Sequence, residues 1–411
     1  MRRGDIDEGE IRRYFETVVG AELRRPQQRA SFAAYALGLL GEGDRKSCEP
    51  IAARSAAGET EEERGDEARR GQDRLLHFLA RSRWDDEGVR LAAARYAIDE
   101  FEKVSPVTTW IIDDTGFPKQ GTHSVGVQRQ YSGTLGKVGN CQIGVSLSVA
   151  TKLEHLPIDF ALYLPKSWTE DAKLRKETHI PDSVCFATKL DLALAMIERA
   201  RRQGIPGDIV LADGAYGNSA YFREAVRAEG LDYGLAVGSN TRVWLLDAQG
   251  RRRGEPIQVN ALGASLGRRA FRRTTWRDGT KGRMSSFFCM RRVKIEQADG
   301  QTTAEREPVW LVIEWPVGEA EPTKYNVTTL PRRMSKKQVV RVLKERWHTE
   351  QAYQEMKGEL GLDHFEGRSF PGWHHHVTVV LSCYAFVVAQ RRRLFPPSAG
   401  QAAADPLERA A

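Results

Sequence analysis

Apolar positions recur at helical intervals over the first hundred or so residues, as in Leu75-Leu76-His77-Phe78-Leu79 and Val89-Arg90-Leu91-Ala92-Ala93, and predict an all-helical segment over 1–100. The charged run Glu59 to Arg70 within it reads as a solvated helix or connecting loop. From Thr108 the texture changes. Short β-branched runs, Thr108 to Ile112, Cys141 to Val149 and Ile209 to Ala212, alternate with helical stretches such as Leu190 to Gln203. Helix Ser219 to Glu229 and strand Tyr233 to Val237 continue this α/β pattern, which predicts a sheet with acids at the ends of its central strands. Between 240 and 330 the pattern is rich in strands and turns, with Asp-Gly at 278 and 299 and strands Ser285 to Met290 and Trp310 to Trp315. The last segment, 331–395, begins a helix over Lys336 to Leu360 with Ser335 as its N-cap. Val377 to Ala389 is a buried helix or strand, too short to span a bilayer, and the Ala- and Pro-rich tail 396–411 is predicted to fray.

Composition changes this picture mainly when it is read by region. The 411 residues exceed the size at which one core stops growing, so about two or three structural units are expected. Five cysteines, at 48, 141, 185, 289 and 383, contain no Cys-x-x-Cys pair, which argues against a disulfide framework and a zinc knuckle. The opening Met-Arg-Arg-Gly-Asp-Ile-Asp-Glu-Gly-Glu lacks the apolar core of a leader, so a cytoplasmic protein without a membrane partner is expected. A net charge of +7 discriminates little by itself. Its distribution says more, because 14 Arg/Lys stand against 5 Asp/Glu between Arg242 and Asp299. The basicity is local, as a phosphate-tracking surface requires.

The candidate chemistry is carboxylate chemistry. Arg346, Glu350 and Lys357 stand at helical offsets that put them on one face of the predicted helix. Alone, that triplet is equally well a surface ion-pair ladder. Two upstream strand-like segments also run into aspartates, Trp110 to Asp113-Asp114-Thr115 and Ile209 to Asp213-Gly214. Two aspartates and a glutamate form a hard-oxygen donor set suited to magnesium. Phosphodiester cleavage needs an activated water and charge stabilisation at both oxygens, which two ions about 3.5–4 Å apart supply. Physics leaves Asp113 against Asp114 open, since neighbours on a strand face opposite ways and both faces of a central strand are buried. Glu355 competes with Glu350, but only Glu350 meets both the arginine and the lysine offsets. His374, His375 and His376 point about 100° apart on a helix and cannot converge on one ion. Trp276, beside Arg277 and near Lys281 and Arg283, either stacks on a flipped base or is a buried structural ring. Lys119, Arg129 and Tyr131 follow the first strand in a loop or hairpin, where they face DNA or solvent.

The Arg-x3-Glu-x6-Lys spacing, with Trp347 after the arginine, resembles the Tyr-Arg-Glu-Lys signature of bacterial DDE insertion-sequence transposases, whose catalytic core is ribonuclease H-like. Asp113-Asp114-Thr115-Gly116-Phe117-Pro118-Lys119-Gln120-Gly121 and His123 to Gly133 resemble the first-aspartate block of one such group. Asp213-Gly214-Ala215-Tyr216-Gly217 resembles the second block, and Gly361 to Ser369 with the histidine run resembles the block after the glutamate. The likeness is strong over 105–390 and weaker through Asp44-Arg45-Lys46-Ser47. Leu343 stands where the signature has tyrosine.

The resemblance implies an α/β fold: a ribonuclease H-like mixed-sheet core over 101–239 and 331–395, a β-rich basic insertion over 240–330, and a helical domain over 1–100 that binds DNA ends. It assigns Asp113, Asp213 and Glu350 as catalytic residues and ligands of two Mg2+ ions, with Mn2+ as the alternative metal and Asp114 as the alternative aspartate. Arg346, Lys357, Lys119, Arg129, Trp276, Arg277, Arg272 and Arg273 become the expected DNA contacts. The implied function is cut-and-paste transposition through DNA cleavage and strand transfer, with hairpin ends suggested by the insertion. Its partners are double-stranded DNA, as terminal inverted repeats and target, and a second copy of the chain in a synaptic dimer. The alternatives are an inactive, domesticated DNA-binding protein and a metal-independent hydrolase using a carboxylate pair.

Overall fold

The computed structural model describes residues 8–279, 282–296 and 307–396, so Lys281, the Asp-Gly turn at 299 and the tail from 397 lie outside the described residues. The N-terminal pattern folds into α1 (Glu8–Tyr14), which passes through a π-helical turn at Phe15–Val19 into α2 (Gly20–Glu22), then α3 (Pro26–Leu40), α4 (Cys48–Ser55), α5 (Glu61–Ala80) and α6 (Asp86–Glu102). The charged run is the solvated start of α5. Thr60 caps it in a capping box with Glu63, and three glutamates in the first turn suit the positive end of the helix dipole. Next come β1 (Thr109–Pro118), β2 (Gln128–Ser132), β3 (Lys137–Ala150) and β4 (His155–Tyr163), followed by α7 (Lys166–Thr169), α8 (Ala172–Glu177) and α9 (Lys189–Arg202). β5 (Ile209–Ala212), α10 (Gly214–Gly217), α11 (Ala220–Ala228) and β6 (Asp232–Val237) follow the predicted order. The β-rich stretch holds β7 (Arg242–Leu246), β8 (Arg252–Gln258), α12 (Val259–Ser265), β9 (Arg272–Gly279), β10 (Gly282–Ile295), β11 (Val309–Trp315) and β12 (Lys324–Thr328). The chain closes with α13 (Lys336–Lys344), α14 (Trp347–Leu360) and α15 (Phe370–Leu394).

Two compact units result, one of residues 1–107, 114–205 and 348–411, the other of 108–113 and 206–347. In the first, α15 is buried on nearly every side from His375 to Phe386, so it needs a coat all round. α3, α5, α6 and β4 supply that coat. Helices from the 1–100 segment therefore share a core with the C-terminal helix. Arg90 of α6 pairs with Asp159 of β4 and donates to Thr378 of α15, while Arg199 of α9 donates to the other Asp159 oxygen at 2.7 and 2.8 Å. β2, β3 and β4 form an antiparallel set in this unit.

The second unit holds a mixed sheet. β1 pairs in parallel with β5, and β5 with β6. β6, β12, β11, β10, β7 and β8 then follow by antiparallel pairing, and β9 adds to β10.

Two local features differ from the sequence pattern. β1 does not stop at its aspartates but runs on to Pro118. The predicted helix over Lys336 to Leu360 is two helices, because a turn at Glu345 and Arg346 separates α13 from α14. Ser335 does cap α13, accepting from Gln338 N. Both turn residues are engaged by β1: Thr109 Oγ1 donates to Glu345 Oε2 at 2.8 Å, and Arg346 Nη1 lies 3.3 Å from Asp113 Oδ2. Among the described residues no helix is long and apolar enough to cross a membrane.

The histidine run on α15 is structural. His374 Nδ1 bonds the Phe370 carbonyl, His375 Nδ1 bonds that of Leu79, and His375 stacks on Trp84 at 4.1 Å. The Leu362 carbonyl can only accept, so His376 Nε2 carries the proton, and its Nδ1 accepts from Tyr35. Burial holds His374 and His376 at about 4. A depressed imidazole binds fewer protons folded than unfolded, so its contribution is complete above about pH 6.5 and is lost as pH falls toward 4. Urea midpoints should therefore be level above neutrality and decline below about pH 6.5, by up to ~1.4 kcal/mol per pH unit for each such ring. His376→Gln should flatten part of that decline. A profile level down to about pH 4.5 would contradict the assignment.

Candidate active site

The geometry of the two aspartates follows from one strand pairing. β1 meets β5 in register, Thr109 opposite Ile209, Trp110 opposite Val210 and Ile111 opposite Leu211. The same offset carried two residues further sets Asp113 level with Asp213. Residues level with each other on neighbouring parallel strands share a face, with backbones about 4.8 Å apart. Asp113 lies inside β1 and is buried. Asp213 follows the last residue of β5 and caps α10, its Oδ1 accepting from Ala215 N at 2.8 Å. A short strand ending in a helix N-cap aims this carboxylate while leaving it part-exposed.

Asp114 faces the other way along β1 and is held by Lys189, the first residue of α9. That lysine escaped the sequence reading because nothing local links it to a strand 75 residues earlier. Glu350 is exposed in the first turn of α14 and belongs to the first unit, whereas both strand aspartates at 113 and 213 belong to the second. Its competitor Glu355 is committed elsewhere, accepting from Tyr384 at 2.7 Å and from Gln351 at 2.8 Å.

The expected cationic partners divide into groups. Arg346 reaches Asp113 in the second unit. Lys357 points inward: its ammonium donates to Thr115 Oγ1 and the Gly116 carbonyl, both at 2.8 Å, and lies 5.3 Å over the Phe117 ring. Lys119 donates to the Phe365 carbonyl at 2.6 Å, and burial pushes its pKa down. Arg129 is exposed on β2. On β9, Arg272 and Arg273 are exposed, while Arg277 lies 3.7 Å over the Trp347 ring. Trp276 is partly covered, with Phe288 edge-on at 5.9 Å and the Lys344 ammonium 4.5 Å from its ring. Lys344 also spans both oxygens of buried Glu314, at 2.6 and 2.8 Å. Leu343, standing where the signature has tyrosine, packs so closely on Gly234 of β6 that a side chain there would collide with it.

Among the described residues no three His, Cys, Asp or Glu side chains are grouped as a metal-holding cluster. The chemistry of the donor set nonetheless fits a hard divalent ion, since Asp113 and Asp213 offer carboxylate oxygens from adjacent strands.

Residues 19–283 match the family described as DDE superfamily endonuclease, and residues 187–386 match the family described as Transposase DDE domain. A probable transposase for insertion sequence element IS701 from Microchaete diplosiphon is 31% identical over 179 residues. The match covers 43% of this chain and 44% of that protein.

If Arg272 and Arg273 track phosphates, replacing both with glutamine should lower the slope of log K against log salt on duplex DNA by about 1.8, at ~0.9 per contact. Filter binding across a salt series measures it. An unchanged slope would remove both from the interface.

Proposed function

The chain belongs to the DDE superfamily of endonucleases, among the DDE-type insertion-sequence transposases, and from that premise we propose that it cuts and joins DNA in cut-and-paste transposition. The observation that carries this reading is the β1–β5 register, which sets Asp113 level with Asp213 while Asp114 is held by Lys189. Asp113 and Asp213, with Glu350 as the third carboxylate, would hold the metal in a ribonuclease H-like core into which β7 to β12 are inserted. When bound, two Mg2+ ions, or Mn2+ in their place, supply the charge that activates the nucleophile and steadies the leaving oxygen.

The chain's own residues prepare that chemistry. Buried Asp113 keeps its carboxylate fixed by the strand pairing, and the N-cap geometry fixes that of Asp213. Arg346 balances the charge of Asp113 and brings a guanidinium to the place where a phosphate would arrive. Water and a freed 3′-hydroxyl are equivalent nucleophiles at one such site, so cleavage of the terminal inverted repeats and joining to target DNA need no second centre. Arg272 and Arg273 hold the backbone of the double strand, and Arg129 is a further DNA contact. The helices of 1–100 recognise the element ends as a helix-turn-helix variant, and two copies pair those ends as a dimer. The basic insertion fits a hairpin intermediate at the cut ends. The protein acts in the cytoplasm, at the nucleoid.

Cleavage of labelled element-end DNA with and without Mg2+ tests the proposal. Asp113→Ala, Asp213→Ala and Glu350→Ala should each lose more than about a hundredfold, beyond the loss of an outer-shell partner, while Asp114→Ala stays within about tenfold of wild type. Retained cutting by Glu350→Ala, or loss confined to Asp114→Ala within the pair, would overturn the assignment. Cutting that survives EDTA would select the metal-independent hydrolase, and DNA binding without cutting would select the inactive binding protein.

A further inference from the structure

The β2–β3 hairpin carries surface chemistry that the carboxylate site does not use. From Gln128 to Asn140 it contains Arg129 and Lys137 and no acidic residue. Tyr131 is 64% exposed and Val138 is 50% exposed, although large apolar side chains on a strand usually seek cover. The pairing sets Tyr131 directly opposite Val138 and Arg129 opposite Asn140. Arg129, Tyr131 and Val138 therefore share one face, two residues being the repeat of a strand. Lys137 is exposed on the opposite face, where it pairs with Ser132, and the Arg129 side chain makes no hydrogen bond or ion pair among the described residues.

The turn of this hairpin is anchored where the outer face of its strands is open. Thr134, in the turn, accepts from Gly116 N at 3.2 Å and from the Lys357 ammonium at 3.4 Å. Lys357 also binds Thr115 and Gly116, so one ammonium joins α14, the hairpin turn and the chain immediately after Asp114. Gly116 admits no side chain because Ser132 occupies that space. An exposed aromatic with an unpaired cation on the same face of a hairpin whose turn is anchored is the chemistry of single-stranded nucleic-acid recognition, with a ring for bases and a charge for phosphate.

We propose that the β2–β3 hairpin is a nucleic-acid finger: Tyr131 stacks on an unpaired base, Val138 packs beside it, and Arg129 holds the adjoining phosphate. This rests on the reading of the chain as a DNA-cutting enzyme, which has to handle frayed or freed strands at a cut end. The Lys357–Thr134 contact is the positioning element that ties the finger to α14 and to Thr115 and Gly116 of β1.

Binding of the full chain to a fluorescein-labelled thymidine oligonucleotide of about twenty nucleotides, in EDTA so that nothing is cut, tests it. Anisotropy should show Tyr131→Ala weakened about tenfold on the single strand, with Tyr131→Phe close to wild type. Arg129→Gln should reduce the salt slope on the same oligonucleotide by about 0.7, the value for one contact. Sedimentation of each variant without DNA should match wild type. The proposal is overturned if wild type fails to bind the single strand, or if Tyr131→Ala binds it unchanged. It is equally overturned if Tyr131→Ala alters the oligomeric state, since a second copy would then be the occupant. No cleavage is read, so failure of the metal site would leave this result untouched.

Discussion

The parallel pairing of β1 with β5 is the constraint on which the rest depends. It joins two strands a hundred residues apart in a register that sets Asp113 level with Asp213. Parallel neighbours need a long crossover, and here the crossover contains β2 to β4 and α7 to α9. Slipping that register by one residue would exchange the roles of Asp113 and Asp114, because adjacent strand residues face opposite sides. Arg346 opposes such a slip by meeting Asp113.

Each unit is held by interactions of its own. In the second, Thr109 and Asp113 of β1 engage Glu345 and Arg346, so the break between α13 and α14 is fixed by strand side chains. Glu350 follows that break by one helical turn. In the first, α15 is the mast around which the N-terminal helices assemble, and the Arg90–Asp159–Arg199 cluster ties α6 and α9 to β4. Removing Asp159 would leave two cations facing each other in a largely buried setting, which is far costlier than losing a surface pair.

Much of this was legible in the sequence where local chemistry decides. A short β-branched run marked β5 to the residue, and Ser335 and Ser219 announced helix starts that the structure contains, while the charged run Glu59 to Arg70, left open between helix and loop, is the start of α5. The 100° rule also separated the three histidines, which go to three different carbonyls. What could not be read were contacts decided by tertiary register. The split between α13 and α14 leaves no mark in the pattern, since Glu345 and Arg346 suit a helix interior and are drawn out by residues over 230 positions away. Lys357 looks like a surface cation at helical spacing, yet it is folded inward onto Thr115 and Gly116. Leu343, where the signature has tyrosine, fills the space above Gly234.

The central claim is that Asp113 and Asp213, and not Asp114, share a metal. Anomalous diffraction from a crystal of the protein soaked in Mn2+ tests this most directly. The account predicts a peak coordinated by the carboxylates of both Asp113 and Asp213. A peak on Asp114, or Mn2+ bound elsewhere with Asp113 still paired to Arg346, would contradict it.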